Sequence, residues 1–203
     1  MIIKEFAKVV HQVAVDHGWH DPKYETHFLE YIAMIHCEWS EALQEYREGR
    51  PPIWYACGES EHKIPCCPQD EYECRMYGRE RVCGYREKKP EGMLVELADG
   101  VLRILDFLVE SHMTYWQWDT FEEMIADVPQ KDLEIPFPVF IAKLHEATGR
   151  AAAGGYHNLF LLEPVMAYAC AWIQKEGENC EYLLRIKNEY NRTREYRHGG
   201  KKC

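Results

Sequence analysis

Apolar residues recur every three or four positions along most of this chain. Between residues 28 and 46, Phe28, Ile32, Ile35, Trp39, Ala42 and Tyr46 are spaced by four and three. That is the seam of a helix with one face on a core. Residues 94 to 108 repeat it with Leu94, Leu97, Val101, Ile104 and Leu108. Ile3, Phe6, Val10 and Val13 form a stripe on an amphipathic first helix. Thr120, three residues before Glu123, predicts a capped short helix ending at Val128. Pro129, Pro136 and Pro138 mark a connector. Two further helices are predicted over about 138–153 and 158–175, parted by Gly154 and Gly155, and a last one over about 178–192. Strand-like alternation is rare. The pattern predicts an all-α chain, a single domain over residues 1–203.

Residues 50 to 91 break the periodicity. They hold Pro51, Pro52, Pro65, Pro68 and Pro90 and read as an irregular insertion between two bundle helices. Five of the nine cysteines fall there, Cys57, Cys66, Cys67, Cys74 and Cys83, together with His62. None has CxxC spacing, so free thiols are the plainer expectation and a zinc staple the sharper one. The formal net charge of −10 argues against a nucleic-acid partner. No apolar run reaches membrane-spanning length, so no membrane partner is expected. MIIKEFAKVVHQVA is too broken by charge for a signal peptide, so the expected location is cytoplasmic. No GxxxxGK[ST] loop and no nucleophile motif is present.

Candidate chemistry lies in two acidic pairs. Glu38 and Glu41 share one helix face at i and i+3, and so do Glu96 and Asp99. Packed together, two such helices would gather four carboxylates around a hard cation, Mg2+ or Mn2+. The plainer reading of any ExxE is a solvated acidic edge. The second pair is the more telling, because apolar residues cover most of its helix. Its polar stripe is narrow: Glu96, Asp99, Arg103 and Asp106. Arg103 could serve as the cation in place of a metal. Near the C-terminus, Lys187, Asn191 and Arg194 share a face of the last helix and its exit. They suit phosphate oxygens and a sugar or base, or else complement the helix dipole. His36 reads as a core neighbour. Trp19 reads as packing the first turn, with a ring able to stack on a base.

EWSEALQEYREGRPP, KPEGMLVELADGVLRILD and KNEYNRTREYRHGGKK, with GWHDP before them, occur in an order that resembles the MazG-like family of all-α nucleoside triphosphate pyrophosphohydrolases. The resemblance implies a helical bundle that hydrolyses a nucleoside triphosphate between its α and β phosphates. It implies Glu38, Glu41, Glu96 and Asp99 as Mg2+ ligands, one of them, with Glu41 the candidate, acting as general base, and Lys187 and Asn191 as substrate-binding residues, to which helical phase adds Arg194. A dUTP- or dCTP-specific pyrophosphatase is a nearer alternative. A non-enzymatic helical module stapled by zinc is a more distant one. The cysteine-rich insertion and an extra helical segment before the C-terminal block both depart from short members of the family.

An internal echo supplies the last expectation. FLEYIAMIHCEWSEAL resembles FPVFIAKLHEATGRAA, aligning Ile32, Ala33 and His36 with Ile141, Ala142 and His145. Glu38 and Glu41 then fall on Ala147 and Arg150. Leu162 and Glu163 echo Val95 and Glu96, but nothing replaces Asp99. A degenerate second repeat over about residues 135–192 would make the chain a monomeric pseudo-dimer with one live site. Otherwise a homodimer is expected.

Overall fold

The computed structural model describes residues 1–23, 27–57, 64–66 and 89–197. Seven α-helices lie among them: α1 (Ile3–Asp16), α2 (Phe28–Arg47), α3 (Met93–Glu110), α4 (Phe121–Ala126), α5 (Phe137–Ala153), α6 (Leu162–Lys175) and α7 (Cys180–Arg192). Short 3-10 turns precede α5 and α6, at Gln130–Leu133 and Gly155–Leu161. The chain is all-α, as the periodicity predicts. Local chemistry sets several boundaries. Thr120 and Glu123 form the predicted capping box of α4. His27 and Glu30 do the same for α2: the His27 N–H donates to Glu30 Oε2 at 2.9 Å. Asn179 Oδ1 accepts from the Tyr182 N–H at the start of α7.

Helix α3 is the axis of the fold. It packs against α1, α2, α6 and α7. Its apolar circumference, including Leu94, Leu97, Val101, Ile104, Leu105 and Leu108, is fully enclosed. A helix apolar almost all round belongs in the centre, because only there can each face leave water. Gly100 lets α2 come close: a Cβ there would meet the Trp39 ring at 2.3 Å. Trp39 is itself fully buried, and its indole Nε1 donates to Thr148 Oγ1 on α5 at 3.1 Å.

Residues 50 to 91 are less irregular than expected. Their described parts form a small antiparallel sheet, order β2-β1-β3, from β1 (Trp54–Cys57), β2 (Ile64–Cys66) and β3 (Pro90–Glu91). Pro65 and Pro90 sit in the two outer strands, where a missing N–H is tolerated. Nor does the segment stay wholly outside the bundle. Trp54 is fully buried and donates through Nε1 to Glu45 Oε2 at 2.7 Å. Gly92, at φ 111°, swings the chain from β3 into α3 beside the Pro52 carbonyl, where a Cβ would come within 2.5 Å. The proposed zinc group, His62 with the clustered cysteines, lies outside the described residues. No helix among the described residues is long and apolar enough to cross a membrane.

Helices α2 and α5 pack together, as do α3 and α6. His36 Nδ1 lies 2.7 Å from His145 Nδ1, with the two rings stacked, and Trp39 meets Thr148. Both pairs join positions that the sequence alignment equates. Self-contact between equivalent positions is what a two-fold axis produces.

Candidate metal centre and its adjoining cleft

Three of the four predicted carboxylates converge. One oxygen from each of Glu38, Glu41 and Glu96 lies within 4.8 Å of the others. Glu38 and Glu96 are buried, whereas Glu41 faces solvent. Asp99, one turn beyond Glu96 on α3, stands beside this group and is engaged from α7. Lys187 Nζ lies 3.3 Å from Asp99 Oδ2 and 3.7 Å from Glu96 Oε2, and Asn191 Nδ2 donates to Asp99 Oδ1 at 3.3 Å. Arg103 does not turn back to Asp99 but reaches across to α2, its Nε donating to Glu38 Oε1 at 2.7 Å.

The electrostatics follow from burial. Desolvation, then repulsion from Asp99 and Glu41, pushes the Glu38 carboxyl up to about 7, against the pull of Arg103. Glu96 is pushed up to about 8, again first by burial, then by Asp99 and Glu38, with Lys187 opposing. Burial would raise Asp99 too, but Lys187, Arg103 and Asn191 outweigh it and hold that carboxyl below its ordinary value. Lys187, only 1% exposed, keeps its charge despite burial because Asp99, Glu96, Glu38 and Glu91 all favour it. Raised this far, Glu38 and Glu96 hold protons near neutral pH, which a divalent ion could displace. The all-oxygen donor set suits a hard divalent ion. The residues therefore fit Mg2+ or Mn2+.

A cleft opens next to this group. Asp99, Arg103, Asn188, Asn191, Trp19 and Tyr31 line it. Arg197 lines it too. Its guanidinium lies 5.3 Å from the Trp19 ring centre, and its backbone N–H donates to the His17 carbonyl at 2.9 Å. Tyr196 follows the same path, donating to Asp21 Oδ2 and lying flat on Gly18. Of the predicted substrate-binding residues, Lys187 and Asn191 reach the carboxylates, but Arg194 does not line the cleft. Asn188, Arg103 and Arg197 do line it, and the sequence did not single them out for substrate. Asn188 follows Lys187, and Arg103 and Asp106 continue the polar stripe of α3; that stripe was the available signal. Arg197 carried no local signal, because its place depends on the chain returning to the α1 turn. His36 contacts His145 rather than the carboxylates. Glu45, further along α2, pairs with Arg50 and Trp54.

Comparisons of the chain with protein-family models, with curated proteins and with solved structures find no match.

Proposed function

We propose that this protein is a Mg2+-dependent nucleoside triphosphate pyrophosphohydrolase, converting a triphosphate and water to a nucleoside monophosphate and pyrophosphate. One observation carries the reading. Carboxylates from two core helices meet a buried lysine and an asparagine from a third, at the edge of a cleft with aromatic walls. Glu38, Glu41, Glu96 and Asp99 would hold the ion, which supplies charge neutralisation at the phosphates and a lowered pKa for water. Glu41, the solvent-facing member, takes the proton as the water oxygen bonds to phosphorus and the anhydride oxygen leaves with pyrophosphate. Lys187 and Asn191 bind phosphate oxygens. Arg103, which lines the cleft beside Glu38, would turn its charge to the phosphates were Glu38 to hold the ion. Trp19 offers a face to the base.

The contacts between equivalent positions of α2 and α5 favour a monomeric pseudo-dimer over a homodimer. Release of pyrophosphate is the test, screened over ribo-, deoxy- and base-modified triphosphates with Mg2+ and with EDTA. Metal-dependent pyrophosphate from at least one of them, with equimolar monophosphate, is expected. Release of orthophosphate, or no turnover at all, would reject the reading. The same screen reports any preference for dUTP or dCTP.

A further inference from the structure

The polar stripe of α3 does not stop at the cleft. Past Asp99 and Arg103 it continues to Asp106 and Glu110, and two histidines from elsewhere in the chain meet it there. His11 comes from α1. His20 comes from the turn after α1. His11 Nδ1 and His20 Nε2 each lie 2.8 Å from the same oxygen, Asp106 Oδ1, and the two rings are 4.7 Å apart. His20 is nearly enclosed, and His11 and Asp106 are partly so. None of this group belongs to the carboxylate centre.

The outward sides of the rings face a second carboxylate. Glu110 Oε2 lies 3.4 Å from His20 Nδ1 and 3.8 Å from His11 Nε2, and the Tyr31 hydroxyl lies 3.3 Å from His20 Nδ1. A carboxylate only accepts, so without a metal each ring gives an N–H to Asp106 Oδ1, the nearer carboxylate. An ion between them would take the lone pairs of the inward nitrogens, shifting each ring proton to the outward nitrogen toward Glu110. Two imidazole nitrogens and a carboxylate oxygen, from three separate segments, already converge there. A carboxylate behind a histidine is the usual outer support of a metal-bound imidazole. Two imidazoles with one carboxylate suit a borderline ion such as Zn2+ rather than Mg2+.

We propose that His11, His20 and Asp106, with Glu110 behind the rings, form a second divalent-cation site, structural in role and of the Zn2+ class. It staples α1 and the turn that carries Trp19 to the central helix. Bonds of about 2.0–2.2 Å need only a small parting of atoms now 2.8 Å apart. The site does not depend on the proposed reaction.

The test is a long-range 1H–15N spectrum of the metal-stripped full chain, titrated with Zn2+ while Mg2+ saturates the carboxylate centre. One equivalent of Zn2+ should shift His11 Nδ1 and His20 Nε2 together, leaving the His36 and His145 nitrogens unmoved. In His11→Gln, the His20 response should need at least tenfold more Zn2+. Zinc taken up by the cysteines alone would leave both rings unmoved and overturn the proposal. Rings that are doubly protonated and stay so through several equivalents would overturn it as well, showing a hydrogen-bonded pair and nothing more. Because the spectrum reads each imidazole in the native chain, the result stands even if Asp106→Asn fails to fold.

Discussion

Glu96 and Glu163 are buried acids in the first turns of two core helices, α3 and α6, that pack against each other. Their surroundings differ. Glu96 has Glu38 and Glu41 across from it, Asp99 a turn away and Lys187 between them. Among the described residues, Glu163 has a single polar contact, the Gln117 backbone N–H at 2.9 Å on its Oε2. Burial raises both carboxyls. Only the first sits in a polyvalent acidic group that a divalent ion could relieve. On α5, Ala147 and Arg150 stand where the alignment puts Glu38 and Glu41, and Arg150 pairs with Glu146 at the surface. Under the proposed reading, one half of the bundle would keep a cation centre, and the other the helix packing without it. A buried glutamate is thus no marker of a site; what distinguishes one is how many like charges share it.

Removing the positive charge from the first half should have the largest effect. Lys187→Ala leaves Glu96 and Asp99 without their buried partner and should destabilise the fold by about 3–5 kcal/mol, read from chemical denaturation. Glu41→Gln should reduce pyrophosphate release by roughly a hundredfold or more while leaving the thermal midpoint near the wild type, since Glu41 is exposed. Gly100→Ala drives a methyl into the Trp39 ring and should lower stability by about 1–3 kcal/mol. Glu163→Gln should change stability by no more than about 0.5 kcal/mol, because an amide oxygen accepts the Gln117 N–H as well as a carboxylate does. A large loss of activity in Glu163→Gln would erase the contrast between the halves.

The pH dependence sharpens the same contrast. A carboxyl raised in the folded state binds its proton there and not in the unfolded chain, so stability falls as pH rises between the two values. Glu38 and Glu96 place that fall between about 4.5 and about 8. His20 adds to it. Burial opposes its charge, but Asp106 and Glu110 outweigh burial and raise it, so its contribution is also lost as pH rises past its folded value. In EDTA the thermal midpoint should therefore decline from pH 5 to 8. With Mg2+ the decline should flatten, because an ion binds only the deprotonated carboxylates. A midpoint that falls equally with and without Mg2+ would count against the centre.

Much of this was legible in the sequence because it is local. Helix periodicity placed α2 and α3, a capping box placed α4, and i, i+3 spacing put Glu38 with Glu41 and Glu96 with Asp99. The pairing of α2 with α5 had a trace in the sequence as well, since both helices carry Ile, Ala and His in the same register. What escaped notice joins distant parts of the chain. Arg103 crosses to Glu38, His11 and His20 meet on Asp106, and Arg197 folds back on Trp19. No spacing rule announces such meetings. The small sheet escaped because prolines and glycines outweighed the short aromatic run Trp54–Tyr55, which the structure buries beside α2. Arg194 was drawn in by its helical phase with Lys187 and Asn191, but it lies past the end of α7, where that phase no longer holds.

Mn2+ binding to the purified chain, followed by electron paramagnetic resonance with the His11 and His20 group blocked by Zn2+, tests the central claim most directly. Wild-type protein and Glu163→Gln should bind Mn2+ alike, and Glu41→Gln should bind it at least tenfold more weakly. Equal Mn2+ affinity in the wild type and Glu41→Gln would contradict a cation centre at Glu38, Glu41, Glu96 and Asp99.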